Sequence, residues 1–315
     1  MRIVVTGVAG FVGSHLAEAL LAGGHEVAGI DAFIDYYPRP VKERNIAGLV
    51  GRPGFTFHEA DLRTAELEPL LDGADAVVHL AAMPGLARSW TDVETYTSCN
   101  LLATHRLVEA VLGVGVPRLL HASTSSVYGS DAVGDENAPT RPISPYGVTK
   151  LAAEHLILAY VQSRGLEAAI LRYFSMFGPR QRPDMAYHIF IEAMLDGRPI
   201  TVFGDGQQSR SNTFIDDCVQ GTIAAIGGAE TGAIYNIAGG ESLKLNDAIA
   251  TIAEAVGVEP RIIYGPARPG DQRTTFADTA KARAAFGFQP TIGAVEGLRA
   301  QVDWHVARRG DPAVA

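Results

Sequence analysis

At 315 residues the chain is long enough for one large or two modest domains around a substantial buried core. Apolar residues make up 47%, too many for a disordered chain, and the formal net charge of −9 argues against nucleic acid or an anionic membrane as the main partner. Two cysteines, Cys99 and Cys218, stand alone in helix-like stretches without metal-ligand spacing, so packed, reduced thiols and no metal are expected.

In chain order, residues 1–5 already read as a strand. No signal peptide precedes it and no apolar run is long enough for a bilayer, so a cytoplasmic location is the default expectation. The run 3–6 leads into a glycine-rich turn, Gly7 to Gly13, and then a helix over 11–22. Further strands are expected at 26–30, 55–59, 76–80, 119–123 and 168–173, with long helices at 93–112 and 146–162. These strands are apolar almost throughout, as strands covered on both faces are. Repeated strand–helix units imply right-handed crossovers and an α/β fold with a Rossmann-type, doubly wound parallel sheet. After about Phe174 the pattern changes, with Pro179, Pro183, Pro199 and shorter elements at 189–195, 200–203, 217–226 and 233–237. Residues 1–174 are therefore expected to form the dinucleotide-binding domain and 175–315 a smaller α/β lobe, with some chain crossing back. The tail after Arg308 is expected to fray.

The turn Thr6-Gly7-Val8-Ala9-Gly10-Phe11-Val12-Gly13 joins the first strand to the first helix. Its G-x-x-G-x-x-G spacing differs from the standard G-x-G-x-x-G, but its position is the one at which a helix N-terminus receives a pyrophosphate. Asp31 ends the second strand, where a carboxylate can hold adenosine ribose hydroxyls and repel a 2′-phosphate, so NAD is favoured over NADP. Alternatively Asp31 caps a turn. Asp61-Leu62 follows the third strand and can meet the adenine edge, while Asp61 can equally cap a helix over 64–71.

Tyr146 and Lys150 lie four apart on a helix starting at Pro145, hence on one face. A free tyrosine, with a pKa of about 10, is a poor base, and a nearby ammonium lowers that value. The pair suits a general base for a sugar hydroxyl. Upstream, Ser123-Thr124-Ser125-Ser126-Val127-Tyr128-Gly129 sets hydroxyls at a strand's C-terminal end, where such sheets hold ligands.

Gly7/Gly10/Gly13, Leu80-Ala81-Ala82, the S-T-S-S-V-Y-G segment and Tyr146-x-x-x-Lys150 together resemble extended short-chain dehydrogenases, more narrowly the NAD-dependent sugar epimerase/dehydratase group. Arg172-Tyr173-Phe174, Gly178-Pro179-Arg180, Asp205-Gly206 and Arg268-Pro269-Gly270-Asp271 extend the resemblance over nearly the whole chain. It implies NAD as cofactor, a nucleotide-sugar substrate and a homodimer formed through the long helices. It implies Tyr146 as base, Lys150 on the nicotinamide ribose, and Thr124 as the catalytic Ser/Thr. It places Gly7, Gly10, Phe11, Val12, Gly13, Asp31, Asp61, Leu62, Leu80, Ala81, Ala82, Asn100, Ser123 and Tyr173 around the cofactor. Asn100 can instead be structural. Pro84, Gly85, Arg88, Ser125, Ser126, Ser175, Arg182, Gln207, Arg210, Arg268 and Asp271 would face the substrate, with Arg210 and the Arg268/Asp271 pair on the diphosphate and ribose. The group's usual R-D-F/Y becomes Arg210-Ser211-Asn212, a local departure.

The group shares oxidation of the sugar at C4. The 4,6-dehydratases it includes carry Asp-Glu after the catalytic threonine and the uronate decarboxylases Ser-Glu, where this chain has Ser125-Ser126. Without a carboxyl group there, elimination lacks its acid and base, and 4-epimerisation remains. The stretch Ser175-Met176-Phe177-Gly178-Pro179-Arg180-Gln181-Arg182-Pro183-Asp184-Met185, and Asp35-Tyr36-Tyr37 with Lys42 and Arg44, resemble UDP-glucuronate 4-epimerases. On that reading Ser126, Ser175 and Arg182 bind the C6 carboxylate. A UDP-glucose or N-acetylhexosamine 4-epimerase, a uronate decarboxylase, a net dehydrogenase and a non-catalytic NAD-binding regulator are the alternatives.

Overall fold

The structure is a computed structural model that describes residues 1–268 and 270–310. Pro269 and the tail 311–315 lie outside the described residues. Seven strands form the main sheet: β1 (Arg2–Thr6), β2 (Glu26–Asp31), β3 (Phe55–Glu59), β4 (Ala76–His79), β5 (Leu119–Thr124), β6 (Ala168–Tyr173) and β7 (Ile234–Ile237). They run parallel in the order β3-β2-β1-β4-β5-β6-β7. The α/β fold with a doubly wound parallel sheet is thus the one expected. Alternation along β1 shows why both faces are covered. Ile3 and Val5 join a core with Leu16 and Leu20 of the helix Phe11–Ala22, whereas Val4 joins a second core with Leu107, Val111 and Ile157 from the opposite layer. The strand order reverses between β1 and β4, and ligands sit outside the strand ends at such a switch point.

Two elements differ from expectation. The strand Ile234–Ile237, read among the second-lobe elements, pairs with β6 as the edge of the main sheet. A short buried apolar run carries no sign of which sheet it joins. The expected single helix over 93–112 is a continuous path of Val93–Thr97, a π-helical turn Ser98–Leu102, and Ala103–Val114. The wider turn displaces Asn100 into the interior, a feature that apolar periodicity does not report.

The smaller lobe holds a four-stranded mixed sheet in the order Ser242–Lys244, Ser209–Ser211, Thr274–Ala277, Asp131–Gly134. The last of these comes from the first half of the chain. The parallel pair Ile200–Phe203 and Ile262–Gly265 lies beside it in sequence. Cys99 and Cys218 are buried free thiols. Among the described residues no helix is long and apolar enough to cross a membrane.

Candidate active site

The glycine turn closes tightly. Gly7 has φ +72°, and a Cβ there would lie 2.8 Å from the Ala81 amide nitrogen. A Cβ on Gly13 would stand 2.2 Å from the Gly7 carbonyl oxygen. Only glycine therefore lets the helix Phe11–Ala22 approach β1 so closely. Gly10 caps that helix without a side chain, leaving its first turn with the positive end of the helix dipole and no capping acceptor. Gly10, Phe11, Val12 and Gly13 line a cleft over the strand ends, with Asp31, Asp61, Leu62, Leu80, Ala81, Ala82, Pro84, Ser123, Tyr146, Lys150, Tyr173 and Arg182. The expected cofactor residues thus converge, with Asn100 the exception.

Asp31 accepts hydrogen bonds from the backbone amides of Ala9 (3.0 Å) and Phe33 (2.9 Å), so the carboxylate ties the glycine turn to the end of β2. Burial raises its pKa. Asp61 does not cap a helix over 64–71, because the helix there is only Glu68–Leu71. Its carboxylate is clamped by Arg63, with Nη2 2.7 Å from Oδ2, and that hydrogen bond lowers its pKa. Arg63 also lines the cleft and was not anticipated. Its placement two residues after Asp61 was the available signal.

Tyr146 and Lys150 are held by the helix Pro145–Arg164. Ser144 caps it, its hydroxyl accepting from the Gly147 amide (3.1 Å), and Pro145 occupies the first turn. A Cβ on Gly147 would meet the Ser126 carbonyl oxygen at 2.7 Å, so this glycine lets the helix start press against the hydroxyl-rich turn. The Tyr146 ring meets Tyr96 edge-on at 6.2 Å. Tyr96 in turn donates to the Gly85 carbonyl at 3.0 Å. Burial raises the Tyr146 pKa above its ordinary value, while a hydrogen bond to Thr124 and the charge of Arg182 pull it down. Lys150 was expected to supply that lowering. In the structure its Nζ instead contacts His121 Nε2 at 3.1 Å, and burial lowers its own pKa to about 8.

Thr124 caps the turn Ser125–Val127, accepting from the Ser126 amide (3.1 Å), and its hydroxyl lies 3.3 Å from Ser126 Oγ and beside the Tyr146 phenol, either of which can take its one proton. Ser123 donates to Glu154. One expectation needs correction, and for Asn100 the structural alternative holds. Ser125 does not face the substrate cleft: its hydroxyl donates to Gln272 (3.1 Å), whose amide returns to the Ser125 and Gly129 carbonyls, fastening the turn to the 270–273 loop. Asn100 is structural, accepting from Met83 N (2.7 Å) and donating to Met83 O and Thr149 Oγ1 (both 3.1 Å). Both its donors and its carbonyl oxygen go to joining the loop after β4 to the Tyr146 helix. Tyr173 lines the cleft with its ring, and its hydroxyl pairs with Thr222 (2.7 Å).

Arg182 reaches the cleft from the loop after Phe177, and Asp184, unanticipated, grips it through Nε (2.9 Å) and Nη2 (3.1 Å). Tyr36 donates to the same carboxylate (3.2 Å), and its ring lies 5.7 Å from both the Arg182 and the Arg88 guanidinium carbons. Arg88 itself is turned outward, bonded to the Asp35 carbonyl (2.7 Å) and Asp92. Ser175 is half-buried just beyond β6, its carbonyl accepting from Thr213 N (3.1 Å). Gln207 is exposed beside Asp205. Arg210 and Arg268 both act electrostatically on Asp271, and Arg268 stacks 3.5 Å over the Phe203 ring. Arg210, Arg268 and Asp271 gather on the smaller lobe, apart from the cleft lining.

A glycine turn on an uncapped helix and a carboxylate ending β2 fit a dinucleotide, and a Tyr–Lys pair faces the same cleft. Residues 3–238 match the NAD dependent epimerase/dehydratase family. The chain belongs to that family. Its cofactor is NAD. Among family members it is similar to the UDP-glucuronic acid 4-epimerase of Bacillus cereus, in a crystal structure with UDP-glucuronic acid and NAD, at TM-score 0.95 and 41% identity over 98% of this chain and 99% of the other. It is 42% identical to YtcB of Bacillus subtilis, an uncharacterized UDP-glucose epimerase, over 96% of this chain and 97% of that protein. It is 35% identical to the UDP-glucuronate 4-epimerase of Thermodesulfobacterium geofontis, over 96% and 95%.

Proposed function

We propose that this family member is a UDP-glucuronate 4-epimerase, interconverting UDP-glucuronate and UDP-galacturonate through a transient 4-keto sugar. The observation that carries the reading is a guanidinium, Arg182, in the cleft that holds Tyr146, together with hydroxyls rather than carboxylates at Ser125 and Ser126. An acid–base pair for elimination across C5 and C6 is missing from those positions, and a cation suited to a uronate is at hand.

The glycine turn, Asp31 and Lys150 would hold NAD, which supplies a reversible hydride acceptor for the sugar's C4. Tyr146 removes the C4 hydroxyl proton, and Thr124, hydrogen-bonded to it, shares that proton. Burial works against the phenolate, so the positive charge of Arg182 and the Thr124 hydroxyl are what this chain sets against it. The keto sugar then turns and is reduced on its other face, with Tyr146 returning the proton. Arg182, with Ser126 and Ser175, holds the C6 carboxylate. A 4-keto uronate is a β-keto acid, and a carboxylate kept in an ion pair near the ring plane loses carbon dioxide slowly. Arg210, Arg268 and Asp271, assisted by Gln207, hold the nucleotide diphosphate and ribose. Residues 1–174 then serve the cofactor and 175–315 the sugar nucleotide, with β7 crossing back.

A second reading is a UDP-glucose 4-epimerase. It is favoured by Asp184, which already occupies two donors of Arg182, and it agrees with the name of the uncharacterized Bacillus subtilis relative. Purified protein incubated separately with UDP-glucuronate and UDP-glucose, with products identified by NMR, separates the two. Turnover of UDP-glucose alone overturns the first reading. The active unit in this reading is a homodimer. Val93, Leu102 and Val148, each about half exposed, lie on the two long helices that would pair. A monomer by light scattering would reject it.

A further inference from the structure

We infer that His121 is a positioning residue for catalysis, the neutral imidazole that holds the Lys150 amine beneath the cofactor cleft. The inference rests on the Tyr–Lys chemistry of the family and is independent of which sugar is turned over.

His121 and Ser123 are two apart on β5 and so share a face. Lys150 and Glu154 are four apart on the helix Pro145–Arg164 and share a face as well. The two faces meet in two rungs, Lys150 Nζ to His121 Nε2 at 3.1 Å and Ser123 to Glu154. Glu154 is not available to Lys150 as a hydrogen-bond partner. Its oxygens are taken by Ser123 and by Arg172 of β6, with Nη2 2.7 Å from Oε2. Among the described residues, His121 is thus the hydrogen-bond partner of Lys150.

An ammonium only donates, so His121 Nε2 must accept and its proton must sit on Nδ1. That Nδ1 is buried and has no partner among the described residues. Such an orphan in a fully buried side chain calls for a compensating role. Holding the catalytic lysine supplies one.

The surroundings keep the imidazole an acceptor. His79 of β4 packs against it with ring centroids 5.2 Å apart, itself neutral and bonded to Thr6 (2.8 Å) and Thr104 (3.0 Å). From the lysine's own helix come Tyr146 and Glu154. Arg172 faces Glu154, and Arg182 acts on Tyr146. Burial, with Lys150 and His79, drives the His121 pKa well down, so it does not compete for the proton that Lys150 must keep.

The test is the pH profile of kcat for the NAD-loaded enzyme in two variants. In His121→Gln the amide oxygen stands near the Nε2 position and can accept from Lys150. In His121→Asn the side chain is too short and the acceptor is lost. Losing it disfavours the Lys150 ammonium. In His121→Asn the alkaline limb, where Lys150 loses its proton, is expected to fall by roughly one pH unit, with kcat above that limb down about tenfold, while the acid limb, set by Tyr146 with Thr124 and Arg182, stays in place. The KM for the sugar nucleotide stays within about twofold, and His121→Gln keeps both limbs in place. If the two variants have the same limbs as each other, or if His121→Asn loses only thermal stability with its limbs unmoved, His121 is packing alone and the inference is wrong.

Discussion

Tyr146 sits where burial and function oppose one another. Its phenol is pushed above the ordinary tyrosine range by desolvation, and the groups that oppose this come from two distant places in the chain, Thr124 and Arg182. Removing the phenol hydroxyl in Tyr146→Phe is expected to lower kcat by about 10²–10⁴-fold with the sugar-nucleotide KM little changed, measured by steady-state turnover. A variant retaining more than about a third of kcat would dismiss Tyr146 as the base. Arg182→Ala removes the proposed carboxylate contact, a charge-assisted bond of about 1.5–3 kcal/mol, and so about 10–150-fold in kcat/KM for UDP-glucuronate. Decarboxylated product should rise with it, and unchanged rate and purity would rule out the contact. Asp184, its partner, was missed because an acid two residues from an arginine is common on any loop. Its bidentate grip is visible only once the loop is folded.

The helix Pro145–Arg164 is the element that assembles the site. Its first turn carries Tyr146, its second Lys150, and its third Glu154, whose pair with Arg172 is almost fully buried and joins the helix to β6. Breaking one side of such a pair strands a charge in the interior. Glu154→Gln should cost about 3–5 kcal/mol in denaturant unfolding, whereas a loss under about 1 kcal/mol would mean that Arg172 finds another partner. The start of this helix was legible, since proline in the first helical turn is a local signal. So was the Tyr–Lys face, a matter of spacing alone. The π-helical turn at Ser98–Leu102 was not legible, and neither was the structural role of Asn100, because both depend on where the helix meets the loop after β4.

For the whole molecule, acid is the sensitive direction. Burial lowers His15 and His188 to about 4 and His79 to about 3, from 6.5. Between those values and 6.5 the unfolded chain binds protons that the folded chain refuses, so stability is full above about pH 6.5 and falls as the pH drops toward 4. Glu192, held low chiefly by its hydrogen bond to His305, adds to the loss below its ordinary range of about 4.5. Denaturant midpoints measured at about pH 7, 6 and 5 should fall steadily, and a flat series would contradict the histidine burial described here.

What the sequence alone determined was local: strand and helix periods, the glycine turn, the proline that opens the Tyr146 helix, the spacing of Tyr146 and Lys150, and from these the parallel sheet and the family it belongs to. These follow from a few neighbouring residues, whose backbone and spacing requirements hold in any fold that contains them. The tertiary structure decided the rest: that β7 joins the main sheet, that Ser125 and Asn100 fasten loops, that Asp184 grips Arg182, and that Lys150 meets His121. Each of these joins residues distant in the chain or depends on which way a side chain turns, and a linear pattern holds no information on the packing that sets it.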